Sequence, residues 1–182
     1  MNIKELAVMA HETALASGWW PANKMERSVP EMLLLLHRNV AKATDAYRNQ
    51  NSVIEGYDWK AVFAEGLADV AIQILDMCEG FGLDIGDMRY AYKGIHVENS
   101  LTVDYLLELH RRISGMNQYI YYWSGGKSRI RGDGMEFTEA IATVIRVLFS
   151  LCEYQSIDLE AAIIAKNEIN KTRQYRHGNK VC

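Results

Sequence analysis

Three carboxylates, Glu65, Asp69 and Asp76, stand at spacings of four and seven residues. On a helix those spacings turn all three toward one face. Magnesium often takes only one or two carboxylates and completes its shell with substrate phosphates, so the stripe carries the donor type for metal-assisted hydrolysis. A solvated acidic face, or a set of partners for Lys42 and nearby arginines, is the competing reading. Lys166, Asn170 and Arg173 sit at i, i+4 and i+7 near the end of the chain, again on one helical face but with cationic and amide groups. The plain alternative there is a basic terminus favoured by the dipole of its own helix. "GGKS", Gly125 to Ser128, lacks the first glycine of a phosphate-binding loop, because that position is Tyr121. Lys127, Arg129 and Arg131 still form a basic loop able to lean over a phosphate.

Helices must carry these side chains, and the periodicity supplies them. "NIKELAVMAHETALASG" has apolar residues at helical spacing and stops at Gly18. "WWPANKMERSV" reads as a linker, and a second helix runs from about Pro30 to Asn49. A third opens with Asp58 as N-cap and closes near Gly80 and Gly82, and a short fourth follows Asp84. A helix is expected from about Thr102 to Trp123, then a loop "SGGKSRIRGDG", a helix from Met135 to Tyr154, and one opening at Asp158.

The plan is written twice. "LLLLHRNVAKATDAYR" from Leu33 returns as "LLELHRRISGMNQYIY" from Leu106, so His37 matches His110. At nearly the same offset Phe63 matches Phe137, Glu65 matches Glu139, Ala68 matches Ala142, Val70 matches Val144, and Cys78-Glu79 matches Cys152-Glu153. The expectation is one all-α domain over 1–182, made of two repeats at about 30–95 and 102–172. An N-terminal helix at 2–18 and a basic tail at 166–182 complete it. Duplicated hairpins of this kind pack as a pseudo-symmetric four-helix core.

The 182 residues are 49% hydrophobic and 24% charged, a profile of globular chains. A net charge of −3 argues against general nucleic-acid or membrane binding. No apolar run approaches the roughly 20 residues of a membrane span. The opening residues lack the layout of a signal peptide, and the odd set of Cys78, Cys152 and Cys182 suits a reducing compartment. The expected location is the cytoplasm. His11, His37 and His110 lack a Cys or Glu set around them and read as structural histidines rather than zinc ligands.

Three segments together resemble the MazG-like, all-α nucleoside triphosphate pyrophosphohydrolase superfamily, in its small phage and bacterial forms. They are "AHETALASGWW" followed by "EMLLLLHRNVAKATDAYR", then "FAEGLADVAIQILDMCEGFGLDI", then "IDLEAAIIAKNEINKTRQYRHGNK". The resemblance implies Mg²⁺ held by two carboxylate pairs, each at i, i+3 on adjacent helices, and release of pyrophosphate from a triphosphate. Matched residue by residue, the first pair falls on Asn39 and Lys42 and the second on Gly66 and Asp69. In the second repeat the columns hold Arg112 and Gly115, then Ala140 and Thr143. Asp69 alone is a carboxylate, the one metal ligand the resemblance leaves.

An ammonium at Lys42 repels a dication and attracts a phosphate, and Arg112 offers a planar fork for bidentate phosphate contact. Salt bridges from these cations to Asp69 and Glu139 are the alternative. The resemblance also carries phosphate or base contact to Lys166, Asn170, Arg173, Arg176, His177 and Lys180, and base stacking to Trp19 or Trp20. The departure from the metal-ligand pattern, set beside the retained tail contacts, leads to the expectation of a nucleotide-binding protein without a metal cofactor and with impaired catalysis, acting as a homodimer. Such a protein captures a nucleotide or a cyclic or oligonucleotide signal, as a phage product sequestering a defence messenger would. The other function class is an active Mg²⁺-dependent pyrophosphohydrolase using Asp69 with Glu65, Asp76 or Asp45.

Overall fold

The computed structural model describes residues 2–23, 26–84, 86, 101–123 and 127–179. Helix α1 (Ile3–Ala16) starts at a capping box, Asn2 accepting from the N–H of Lys4 while Glu5 reaches back to the N–H of Asn2. Helix α2 (Val29–Arg48) begins at Ser28 with Pro30 in its first turn. Helix α3 (Trp59–Phe81) begins where Asp58 accepts from the N–H groups of Lys60 and Ala61, and ends at Gly82 with φ of 69°. That left-handed cap needs glycine.

Helix α4 (Thr102–Gly115) stops short of the sequence expectation. A 3-10 turn (Met116–Tyr119) leads into an antiparallel hairpin, β1 (Ile120–Trp123) and β2 (Lys127–Ile130). The expected helix to Trp123 and the expected loop beyond it are therefore corrected to a two-stranded hairpin. Ile-Tyr-Tyr-Trp is β-branched and aromatic, and Tyr121 pairs with Arg129 across the strands. Helices α5 (Met135–Tyr154), α6 (Leu159–Lys171, capped by Asp158) and a single turn α7 (Arg176–Asn179) complete the chain. Among the described residues the fold is all-α apart from that hairpin. The short helix expected after Asp84 lies outside the described residues.

Helix α3 is the axis of the packing. It lies against α2 on one side and against α1 and α6 on the other, while α4 pairs with α5 and touches α2. Phe63, Leu67, Ile74 and Met77 of α3 are fully buried, as are Phe137 and Val144 of α5. The α2–α3 contact is close because residue 66 is glycine. A Cβ there would stand 3.0 Å from the Cβ and backbone nitrogen of Ala43. Cys78 and Cys152 are free, buried thiols, and burial pushes Cys152 up to about 12. At the seam of α2 and α4, His37 and His110 stack with their Nδ1 atoms 2.8 Å apart. Among the described residues no helix is long and apolar enough to cross a membrane.

Candidate functional site

The charged residues singled out on α2, α3 and α6 converge. Lys42 sends its ammonium across from α2 to Glu65 Oε1 at 2.6 Å and to Asp69 Oδ2 at 3.1 Å. From α6, Lys166 donates to the same Glu65 oxygen and stands 3.6 Å from Asp69 Oδ1. Lys166 is only 2% exposed, so these two carboxylates stand to its ammonium in place of water. Burial works to raise the Glu65 carboxyl, but hydrogen bonds from Lys166 and then Lys42 outweigh it and hold it at about 2. Two lysines thus neutralise two carboxylates across three helices.

This arrangement does not fit a magnesium ion. The carboxylates on the matching face already bond an ammonium where an ion would sit, and a second cation there meets like-charge repulsion. Position 66 is tight for any side chain, because a Cβ there would stand 3.0 Å from the Cβ and backbone nitrogen of Ala43. Asp76 lies two turns farther along α3, about 10 Å away, too far to share an ion with Asp69. Among the described residues no group of three or more His, Cys, Asp or Glu side chains is placed to hold a metal.

A cleft opens beside the cluster in two connected parts. The outer part, about 430 Å³, is lined by Arg38, Lys42, Lys166 and Arg173 against the single carboxylate Asp69, with Gln174 and Gly178 at its edge. The inner part, about 170 Å³, shares Arg38, Asp69 and Arg173 with it and runs between α1, α2, α3 and α6. Its walls include Trp19, Asn39, Gln73, Asp76, Asn167 and Asn170. Asn39 donates to Gln73 at 3.0 Å, and Gln73 donates to the carbonyl of Met32 at 2.7 Å, so that chain of amides is fixed.

The two tryptophans part company. Trp20 is 7% exposed, donates its indole N–H to Asp76 at 2.8 Å and sets its edge against His11 and Phe81. It belongs to the core and has no face left for a base. Trp19 is half-buried and lines the inner cavity. Asp76 also receives His11 Nδ1 at 2.7 Å, and burial pushes its carboxyl up against the pull of both partners.

Of the tail residues, Lys166, Asn170 and Arg173 face the cleft. Arg176 instead anchors the tail to the end of α1, its backbone N–H and Nε donating to the carbonyls of Ser17 and Gly18, each at 2.9 Å. The His177 side chain and Lys180 lie outside the described residues. Arg112 does not join Lys42. It bonds Glu108 of its own helix at 2.6 Å and is not among the residues lining the cleft.

Residue-by-residue reading of the sequence misses Asn167, Arg38 and Gln73. Asn167 is fully buried, lines the inner cavity, and has neither amide atom hydrogen-bonded among the described residues. A buried carboxamide next to Lys166 is the signal available, since an amide in the middle of an amphipathic helix is costly unless something pairs it. No protein-family model, curated protein or solved structure matches the chain.

Proposed function

We propose that the cleft captures a nucleotide and holds it uncleaved, the phosphates in the outer part and the nucleoside in the inner part. One observation carries the reading. Among the described residues four cations line the outer cleft against one carboxylate, and with Glu65 counted the local balance is still positive. A polyphosphate is attracted to such a wall and needs no metal to neutralise it. Arg38 and Arg173, which line both parts, stand where a phosphate chain would leave the inner cavity.

The loss of carboxylates at Asn39, Lys42 and Gly66 supports capture over turnover. An ammonium between Glu65 and Asp69 leaves no general metal-water nucleophile for these residues to generate. A sequestering role toward a linear or cyclic nucleotide signal, including a phage product acting on a host messenger, belongs to this reading. So does a cytoplasmic setting.

The second hairpin fits the same account as a duplicated, non-binding copy. Its Arg112, which matches Asn39, turns to Glu108 of its own helix, while His37 meets its matched residue His110 across the seam. A pseudo-twofold running between those imidazoles would give one chain the symmetry that a pair of hairpins otherwise needs. Leu34 and Leu107, at matched positions and about seven-tenths exposed at 68% and 70%, favour a homodimer through the outer face, which sedimentation would read.

The decisive measurement is native mass spectrometry of protein taken from cells, followed by incubation with nucleoside triphosphates and Mg²⁺. Capture predicts ligand of unchanged mass released on denaturation. Stoichiometric conversion to monophosphate and pyrophosphate, lost in Asp69→Asn, would overturn it in favour of the hydrolase.

A further inference from the structure

The inner cavity has a size and a polarity of its own. Resting on the reading of the cleft as a nucleotide site, we infer that this cavity reads a pyrimidine base, with the Asn167 carboxamide supplying one donor and one acceptor to the base edge. The volume is the first argument. An apolar cavity of about 150 Å³ takes one benzene ring, and this one, of about 170 Å³, has room for one six-membered heterocycle rather than a fused purine. Ribose and phosphates then fall in the outer part, which is larger and cationic.

The second argument is hydrogen-bond accounting. Asn167 is 0% exposed, and its Nδ2 and Oδ1 have no hydrogen-bond partner among the described residues. Asn170 Oδ1, one turn along the same wall, is buried in the same condition. Leaving each such group unpaired costs about 1–3 kcal/mol, so a buried carboxamide unpaired on both sides marks a place where a ligand or an ordered water belongs. A carboxamide offers a donor and an acceptor side by side. Uracil presents N3–H beside a carbonyl, and cytosine presents N3 beside an amino group, so either pyrimidine meets it with two bonds.

The third argument is that neighbouring amides are already committed. Asn39 and Gln73 bond each other and the Met32 carbonyl, which leaves Asn167 as the side chain able to turn both atoms to a guest. Trp19 supplies an aromatic wall to the same cavity, and every base has a face to set against one.

The test is calorimetric titration of the full chain with UTP, CTP, ATP, GTP and tripolyphosphate, in native protein and in Asn167→Leu. UTP or CTP is expected to bind about tenfold or more tighter than ATP, GTP and tripolyphosphate, the worth of two well-made bonds. Asn167→Leu should erase that preference and leave tripolyphosphate unchanged. Equal affinity for all four nucleotides, or an unchanged ranking in the variant, overturns the base-reading cavity while nucleotide capture stands. Binding of none of the five ligands defeats capture, and the cavity reading falls with it. Should Asn167→Leu fail to fold, ¹⁵N spectra of the native protein decide the matter. The Asn167 amide resonances should move with UMP or CMP and stay put with tripolyphosphate, and the opposite pattern overturns the inference.

Discussion

At one end of the α2–α3 hairpin a lysine reaches across to the neighbouring helix. In the α4–α5 hairpin Arg112, which matches Asn39 rather than Lys42, folds back onto its own helix. Lys42 bonds Glu65 and Asp69 from another helix and shares them with Lys166 of a third. Arg112 bonds Glu108 four residues earlier, beside Arg111, which does the same from three residues away. Both carboxylates, Glu65 and Glu108, are held at about 2, yet for different reasons. Glu108 owes its value first to Arg111 of its own helix, whereas burial is the largest influence on Glu65 and is overcome with help from two other helices. Charge that crosses between helices ties the walls of a cleft together, and charge that stays within one helix only decorates it.

The largest expected effect follows from Lys166, the deepest of these charges. Lys166→Met leaves Glu65 and Asp69 with one partner and removes the α3–α6 tie. Breaking a buried pair costs about 3–5 kcal/mol, and the lower end, about 3 kcal/mol, applies because Glu65 keeps Lys42 and reaches solvent. Urea unfolding would show it as a lower midpoint at unchanged slope. A loss below about 1 kcal/mol would erase the contrast between the two hairpins.

Lys42→Glu attacks the same cluster from the other direction. It places a third carboxylate beside Glu65 and Asp69, which no three-ligand group among the described residues now provides. Without metal the variant should be destabilised by like-charge crowding. Millimolar Mn²⁺ should then restore about 1–2 kcal/mol of stability, through preferential binding to the folded state, and broaden the spectrum of the bound ion. The native protein and Arg112→Glu should show neither change. Manganese stabilising the native chain equally would mean that the ammonium does not stand where an ion would.

How much of this is readable in the sequence differs by kind of contact. Asp58, Gly82 and Asp158 mark helix ends because capping is local, a matter of a few consecutive residues. The hairpin at Ile120 to Ile130 escapes because the helical pattern of α4 runs on into a short apolar segment, where period alone does not separate helix from strand. Trp19 and Trp20 look alike in sequence, and only the angle at which α1 meets α3 sends one to Asp76 and the other to the cavity. Lys42, which matches Gly115 in the second repeat, and Arg112, which matches Asn39 in the first, look alike as helix-borne cations, yet their fates differ. Local pattern names the charge, but the rotation of one helix against the next chooses its partner. Asn167 escapes because it stands one turn before Asn170 on the face read for its charges, and only the packing of α6 against α1 and α3 shows its amide buried without a partner.

The seam between the hairpins offers a smaller effect with a clear sign. Burial lowers both His37 and His110 below the ordinary 6.5, and the charge of His110 lowers His37 further. The unfolded chain, titrating near 6.5, therefore takes up protons before the folded one does. Stability should be level above about pH 7.5 and decline as pH drops below about 6, where the unfolded chain is protonated and the folded one is not. Both rings are partly solvated, so screening by water keeps the decline under about 1 kcal/mol. Combining His37→Gln with His110→Gln should flatten that part of the curve. A flat native curve would mean the two imidazoles do not oppose each other.

Arg112→Met should do least, and its smallness is informative. The side chain is partly exposed, its only described partner lies four residues back, and Glu108 keeps Arg111 with two bonds of 2.6 Å when Arg112 goes. A pair of this kind within a helix is worth about 0.3–0.5 kcal/mol. Carboxyl titration by NMR should leave Glu108 well below the ordinary range in the variant, because its first cause of lowering is Arg111. Lys166→Met followed by the same titration should raise Glu65, since burial then acts against fewer bonds. If Arg112→Met instead cost more than about 1.5 kcal/mol, the arginine would have to be bridging helices as Lys42 does. The second hairpin would then be a second binding wall rather than a scaffold for the first.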